Sequence, residues 1–134
     1  MKWKNKGHEY DLVYKRIEEI KGFYLFGAGD YGNQFFQMID KELSLIAYVD
    51  NSKEKQGSEL NGLSIQAFPK DRIEKNQAFI LTVSQIQRMK MVDQLENAGY
   101  KRNEDYFLIE EFISVYYVYK YNKVYFSTIS MLPR

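Results

Sequence analysis

The chain has 134 residues, which is enough for one compact domain with its own core but short for a dehydrogenase that carries a separate substrate domain. Its 19 basic and 18 acidic residues are mixed along the sequence and give a formal net charge of +1, so no basic stripe indicates a nucleic-acid partner. The absence of cysteine excludes disulfides, thiolate metal ligands and cysteine nucleophiles, and a single histidine makes a zinc site remote, so we expect no metal.

The basic start MKWKNKGHEYD is not followed by the apolar stretch of a signal peptide, and no run of about 18 apolar residues occurs anywhere. We therefore expect a cytoplasmic protein without membrane contact, and we interpret residues 1–22 as an N-terminal tail and a leading helix. The predicted helix ends at Gly22. Its apolar face is formed by Tyr10, Val13, Ile17 and Ile20.

The stretch LFGAGDYGNQFF places Gly27, Gly29 and Gly32 at G-x-G-x-x-G spacing. The apolar run FYLF before it predicts a buried strand, and the apolar residues after it recur at helical spacing. These helix residues are Phe35, Phe36, Ile39 and Leu43. A strand, a glycine loop and a helix, in that order, can hold a phosphate at the helix N-terminus. We therefore predict a phosphate site at residues 27–32.

The next apolar run, LSLIAYVD, predicts a second strand that ends in Asp50, 18 residues past Gly32. In a dinucleotide site such a carboxylate accepts hydrogen bonds from a ribose diol and repels a 2′-phosphate, which favours NAD over NADP. Asn51 beside it is a candidate for a further ligand contact. The alternative interpretation is that the glycines only form a tight strand-to-helix turn and that Asp50 caps the turn after it.

Three more strands and one helix are predicted beyond the polar connection NSKEKQGSELNG. The strands are LSIQAF, QAFILTVS and DYFLI, and the helix QIQRMKMVDQLENAG ends at Gly99. Its predicted apolar face consists of Ile86, Met89, Val92 and Leu95. The alternation predicts an α/β, Rossmann-like fold of about five mostly parallel strands in the order 3-2-1-4-5, flanked by helices.

The carboxyl edge of such a sheet is where ligands bind, and Ser84 ends the fourth predicted strand there. Asp30 is a complication, because its carboxylate favours the helix dipole but opposes a bound phosphate, so we expect its side chain to turn away. The predicted binding residues are Gly27, Ala28, Gly29, Asp30, Tyr31, Gly32, Asp50, Asn51 and Ser84. We identify no catalytic residue, and we expect Glu110 and Glu111 to be solvated.

The C-terminal part differs in kind, since nine of the 22 aromatic residues lie from Tyr106 onward. We predict a Rossmann-like core at 23–110 and an aromatic extension at 111–134, which forms a helix and a strand or a hairpin that turns near Asn122. An exposed aromatic, β-prone segment is an edge-pairing hazard. We therefore expect its own domain, a second copy in a homodimer, or a following domain to cover it.

Three segments resemble a known kind of domain: YLFGAGDYGNQFF, LIAYVDNSKEKQGSELNGLSIQAF and AFILTVSQIQRMKMVDQLENAGY. They are similar to the nucleotide-sugar-binding N-terminal domain of sialic-acid-type sugar O- and N-acyltransferases and to the C-terminal domain of some sugar C-methyltransferases. The shared features are a G-A-G-x-x-G loop, Asp-Asn after the second strand, a Lys-x-Gly turn and a G-x-x-I strand. They fall at residues 27–32, 50–51, 55–57 and 62–65.

The resemblance covers about residues 22–107. It implies that Gly27, Ala28, Gly29 and Gly32 lie near the phosphates of a nucleotide sugar and that Asp50 lies near the ribose. The hexapeptide repeats that carry the acyltransferase active site do not occur in this sequence.

The sequence thus favours a module that binds a nucleotide, either NAD or a UDP-sugar-type ligand, as part of or accessory to a bacterial sugar-modifying enzyme. Two alternatives stay open. One is an NAD-dependent oxidoreductase or epimerase-like enzyme completed by another subunit, and the other is a domain without a ligand that dimerises through its aromatic extension.

Overall fold

The structure is a computed structural model that describes the backbone of residues 2–39 and 41–130 and the side chains of residues 9–39 and 41–121. The first side chains of the predicted N-terminal tail and the last ones of the aromatic extension lie outside the described residues. The elements in chain order are α1 (Lys2–Glu19), β1 (Gly22–Phe26), α2 (Asp30–Met38), β2 (Leu45–Val49), β3 (Glu59–Leu60), β4 (Leu63–Gln66), β5 (Gln77–Leu81), α3 (Gln85–Asn97), β6 (Tyr106–Leu108) and α4 (Ile109–Ser130).

The strands form a six-stranded sheet in the order β3-β4-β2-β1-β5-β6. Neighbours from β4 to β6 pair in parallel, and only the two-residue β3 pairs antiparallel, with β4. The predicted Rossmann-like α/β fold is confirmed. Counted without β3, the strands have the predicted order 3-2-1-4-5, and β3 is an additional edge strand that the polar connection did not indicate.

Helices cover both faces of the sheet. Buried side chains of α1, α2 and α4, among them Ile17, Phe35 and Phe112, share one core cluster with Leu25 of β1. The other cluster packs α3 against the opposite face of the sheet, and the Phe26 side chain belongs to that cluster. Successive strand residues point to opposite faces, and the central strands are apolar at both sets of positions because both faces are covered.

The end of α1 differs from the prediction. The helix ends at Glu19, and Gly22 is the first residue of β1. A Cβ atom on Gly22 would lie 2.6 Å from Cδ1 of Ile46. Glycine stands here because the side chain of the neighbouring strand fills its space, and it does not serve to end the helix.

The buried face of α3 also differs from the predicted face. Ile86 and Met89 are 93% and 73% exposed, whereas Met91 and Leu95 are buried. Leu95 was therefore placed correctly, but the helix is rotated so that Met91 faces the sheet. Methionine and isoleucine occur on several sides of this helix, so the periodicity alone did not fix the rotation.

The aromatic extension is a single helix from Ile109 to Ser130, so both predicted arrangements, a helix with a strand and a hairpin near Asn122, are wrong. Phe112 and Val115 of α4 are buried against the sheet. The helix also packs on α1, where the rings of Tyr14 and Tyr119 stack with centroids 5.1 Å apart. This packing favours a helix over the β-structure that the aromatic composition indicated.

Candidate functional site

The glycine loop lies between β1 and α2, at the carboxyl edge of the sheet where the strand order reverses. Gly27 has a φ of +126°, and a Cβ atom there would lie 2.6 Å from the carbonyl oxygen of Thr82 and 2.6 Å from Val83 Cγ1. Its N–H donates to the carbonyl of Val49 over 2.8 Å, and its carbonyl accepts from Thr82 Oγ1 over 2.8 Å. Gly27 is therefore fixed between the strands on both sides, where no larger residue fits.

Gly32 is the contact between α2 and the loop. A Cβ atom on it would lie 2.1 Å from the carbonyl oxygen of Gly27 and 3.2 Å from Cε1 of Tyr48. The Tyr48 hydroxyl donates to the Gly32 carbonyl over 3.3 Å, and burial raises the pKa of Tyr48. The third glycine of the motif thus allows close packing of the helix on the strand, which is its role in dinucleotide-binding folds.

Gly29 is different, because space is open in front of it. It is the N-cap of α2 with a φ of −98°, and the nearest atom to its Cβ position is Lys55 Nζ at 3.7 Å. A glycine N-cap has no side chain to bond the first amides of the helix, and these amides have no partner within the helix. The side chains of Asp30 and Tyr31, the two residues that follow Gly29, are exposed. This part of the loop can accept an anion.

Asp50 joins the glycine loop to the end of β2. Its Oδ2 accepts a hydrogen bond from the Ala28 N–H over 2.9 Å, and its Oδ1 accepts one from the Ser52 N–H over 2.8 Å. The second bond is the turn-capping contact of the alternative interpretation. A carboxylate has about four acceptor sites, so these two bonds leave capacity on each oxygen for a further donor such as a hydroxyl.

The other two predicted contacts lie near Asp50 but are held differently. The side-chain amide of Asn51 pairs with that of Gln94 through two hydrogen bonds of 2.8 and 3.1 Å, which ties the end of β2 to α3. Ser84 is the N-cap of α3 and is half-buried, and its side chain does not bond the helix amides. Asn51 is thus engaged within the protein, while the Ser84 hydroxyl lies at the carboxyl edge beside Val83.

A cleft of about 540 Å³ lies next to the loop, between the strand ends and the first turns of α3. It is lined by Phe26, Gly27, Asp50, Asn51, Val83, Ile86, Gln87, Lys90 and Met91. Its apolar wall includes the exposed Ile86, and Lys90 adds a positive charge. The α3 side of the cleft thus combines apolar side chains with a positive charge, and a carboxylate lies at the strand ends.

Sequence reasoning missed three residues of this region: Lys55, Ile86 and Lys90. Lys55 belongs to the Lys-x-Gly turn that is part of the resemblance. The sequence pattern did not indicate that its side chain lies near Gly29. Ile86 was assigned to the buried face of α3. An apolar residue in the first turn after a strand was the available signal for Ile86, whereas only the fold brings Lys90 to the cleft.

A larger cavity of about 700 Å³ lies at the opposite, amino edge of the sheet, between α1 and the loops before β5 and β6. It contains none of the predicted site residues. Arg16 on its wall donates to the carbonyls of Lys75 and Glu104 over 2.7 and 2.8 Å. Arg16 thus joins α1 to both loops.

Residues 9–39 and 41–121 contain no group of three or more His, Asp or Glu side chains placed to hold a metal ion. Among the helices of the part that the structure describes, none combines the length and the apolar character needed to cross a membrane.

The sequence family described as C2185-like, N-terminal, matches residues 19–104, which is more than half of the chain. The chain belongs to this family. The matched residues run from the end of α1 to the loop before β6 and include the glycine loop, Asp50 and the cleft. Among curated proteins, no match to the chain was found.

Solved structures that are similar to the chain include the following two. UDP-D-quinovosamine 4-dehydrogenase from Vibrio fischeri is 23% identical, with a TM-score of 0.47 over 61% of this chain and 75% of that chain. RSP in complex with β-NAD+ and operator DNA is 14% identical, with a TM-score of 0.48 over 85% of this chain and 63% of that chain. At these identities and scores, neither ligand nor activity carries over from them.

Proposed function

We propose that this chain is a nucleotide-binding module in which the glycine loop holds the ligand's phosphates and Asp50 its ribose. The observation that carries the proposal is the hydrogen bond from the Ala28 N–H to the Asp50 carboxylate, 2.9 Å long. It brings the loop and the acidic residue of the second predicted strand together at the edge of the cleft. A nucleotide needs a phosphate site and a ribose site that are as close to each other as its own phosphate and ribose are. In this proposal the loop is the first of these sites and Asp50 is the second.

Each part has a defined contribution to binding. The open space at Gly29 lets a phosphate approach the backbone, and the first-turn amides of α2 donate to it with the favourable helix dipole behind them. The free acceptor sites of Asp50 take the ribose hydroxyls. The base then enters the cleft, where Ile86 and Met91 offer apolar contact. Asn51 and Ser84 border the ligand on either side.

The ligand in this proposal is NAD or a UDP-sugar-type nucleotide, and the module serves a bacterial sugar-modifying enzyme in the cytoplasm. The support for the sugar connection is the resemblance of the three sequence segments to acyltransferase and methyltransferase domains. Residues 23–110 form the binding core in this proposal, with 1–22 and 111–134 as a leading helix and an extension. The catalytic groups are supplied from outside this chain.

A specific observation favours a second role for the extension. Val118 and Tyr121 are exposed on α4, on the part of the helix that follows the buried Phe112 and Val115. The two residues are three positions apart and therefore lie on one face of the helix, and contiguous exposed apolar patches mark protein contacts. In this alternative, the chain binds no nucleotide and dimerises through residues 111–134.

Calorimetric titration and thermal unfolding with NAD+, NADH, UDP and a UDP-sugar test the proposal. A ligand at 100 times its Kd is expected to stabilise the protein by about 2.7 kcal/mol. Gly29→Val should abolish this stabilisation, because its side chain fills the approach to the amides. The unliganded variant should still fold, since only the flexible end of Lys55 lies near the Cβ position.

Asp30→Asn is the matched variant at the residue that follows Gly29. It removes a negative charge that opposes a phosphate and should strengthen binding, whereas Gly29→Val should abolish it. Equal ligand stabilisation in wild type and Gly29→Val would contradict the loop's role. Turnover of NADH would favour the enzyme alternative, and a concentration-dependent dimer with no response to any nucleotide would favour the dimerisation domain.

A further inference from the structure

We infer that the site takes a ligand with one nucleoside and a diphosphate, and that the ion pair of Arg88 and Glu110 closes the half of the crevice that a second nucleoside would need. The inference rests on the proposed function and decides between its two ligand classes. It therefore stands against NAD as the ligand that the site is shaped for.

The described cleft lies on one side of the glycine loop. It runs from Gly27 and Asp50 to Ile86 and Lys90 of α3, so a nucleoside with its ribose at Asp50 fills it. A dinucleotide at the switch point of a doubly wound sheet spreads its two nucleosides across the crevice, one on each half of the sheet. The second one would extend over the carboxyl ends of β5 and β6.

The carboxyl ends of β5 and β6 are covered in this chain. Strand β6 passes directly into α4 at Ile109, so no loop extends beyond that strand to form a second pocket. The Arg88 guanidinium donates to the Glu110 carboxylate, and this pair joins α3 on one face of the sheet to α4 on the other. It therefore crosses the edge of the sheet above the two strands.

This bridge is held in place by charge and by the burial of Arg88, while the Glu110 side chain is half-exposed. The Arg88 side chain is only 16% exposed. If Glu110 moved away, the Arg88 charge would stay largely buried without a partner. Burial is the largest single influence and raises the pKa of Glu110, but the hydrogen bond from Arg88, a backbone hydrogen bond and the charges of Arg88 and Arg102 together lower it. Opening the crevice would thus separate two ionised groups.

On the phosphate side, Lys55 is placed for a diphosphate. Its N–H donates to the Ser52 carbonyl over 3.1 Å, and Gln56 Nε2 donates to the Asp50 carbonyl over 2.9 Å, so the turn is fixed to the end of β2. The Lys55 ammonium lies 3.7 Å from the Gly29 Cβ position and forms no ion pair with the residues that the structure describes. A terminal phosphate that passes Gly29 reaches this ammonium.

Calorimetry and saturation-transfer NMR with UMP, UDP, AMP, ADP and NAD+ test the inference on the full chain. A diphosphate should bind about tenfold more tightly than its monophosphate, because one charged hydrogen bond to Lys55 is added. If the site accepts adenine, NAD+ should bind no more than about threefold more tightly than ADP. If the site accepts only uracil, NAD+ should not bind. In bound NAD+, the nicotinamide protons should receive far less saturation than the adenine protons.

The inference is overturned if NAD+ binds at least about tenfold more tightly than ADP and its nicotinamide protons are saturated as strongly as those of adenine. That result leaves the proposed function intact, whereas failure of every nucleotide to bind removes both. Lys55→Met should erase most of the diphosphate-over-monophosphate gain. Lys53→Met, which removes the same charge from an exposed position in the same turn, should leave that gain unchanged; equal effects of both would contradict the role of Lys55.

Discussion

The substitution Gly32→Ala tests whether Gly32 serves the packing of the loop, in contrast to Gly29, which is proposed to face a ligand. The new Cβ atom would lie 2.1 Å from the carbonyl oxygen of Gly27, whereas ordinary contact begins at 3.4 Å. Because the obstacle is a backbone atom, no side chain can turn away to make room. The loop at Gly27 and helix α2 must therefore separate locally by about 1.3 Å, the difference between those two distances.

The expected loss of stability follows from two opposing contributions. Overpacking a close contact costs about 1–3 kcal/mol, and the rigid obstacle places this site toward the upper end of that range. Replacing glycine by alanine within a helix returns up to about 1 kcal/mol of helix propensity. The free energy of unfolding should therefore fall by about 2 kcal/mol. The contact between Gly32 and Tyr48, which also packs at this point, should loosen with it.

Urea unfolding followed by far-ultraviolet circular dichroism measures the change. Gly29→Ala is the matched control, since it makes the same substitution three residues earlier, where the nearest atom is 3.7 Å away and belongs to a flexible side chain. The control should cost less than about 1 kcal/mol, as alanine is a poorer N-cap than glycine. The reasoning is refuted if Gly32→Ala unfolds at the same urea concentration as wild type, or if both variants lose equal stability.

Three further predictions concern the supports of the fold. Thr82→Val removes the buried hydrogen bond of 2.8 Å to the Gly27 carbonyl and should lower the free energy of unfolding by about 1–2 kcal/mol in the same urea assay. Arg16→Met removes two hydrogen bonds to loop carbonyls at the amino edge and should cost about 1 kcal/mol without changing nucleotide affinity in calorimetry. Burial and a hydrogen bond to Asp11 raise the pKa of Tyr119 to about 12, so the folded state holds this proton after the unfolded chain has lost it near pH 10. Stability should therefore fall between about pH 10 and 12, and thermal unfolding across that range should show a smaller fall in Tyr119→Phe.

Much of the fold could be predicted because the strands and their connections carry strong local signals. Leu25 and Phe26 are adjacent apolar residues that face opposite sides of the sheet, and such runs indicate strands covered on both faces. The glycine motif then fixed the position of the first strand-to-helix turn. Right-handed crossovers and the alternation of elements allowed few strand orders, and the observed order was among them.

The remaining features depend on tertiary contacts that a local pattern does not contain. The aromatic residues of the extension favour strands by composition, but Phe112 and the stacking of Tyr14 on Tyr119 make a helix the better packed form. The position of Lys55 over the loop follows from hydrogen bonds of its turn to the end of β2. Ile86 faces the cleft because of the rotation that α3 takes after β5.

The two interpretations of Asp50, as a turn cap and as a ribose ligand, are compatible in this structure. One oxygen holds Ser52 and the other holds Ala28, so the carboxylate is oriented before any ligand arrives. Both bonds come from backbone N–H groups, which cannot rotate away, and each oxygen keeps an acceptor site. A ribose diol would therefore meet a carboxylate whose orientation is already fixed, and its binding would not require the turn to be released. Capping the turn is thus what prepares Asp50 for a ligand rather than an explanation that replaces one.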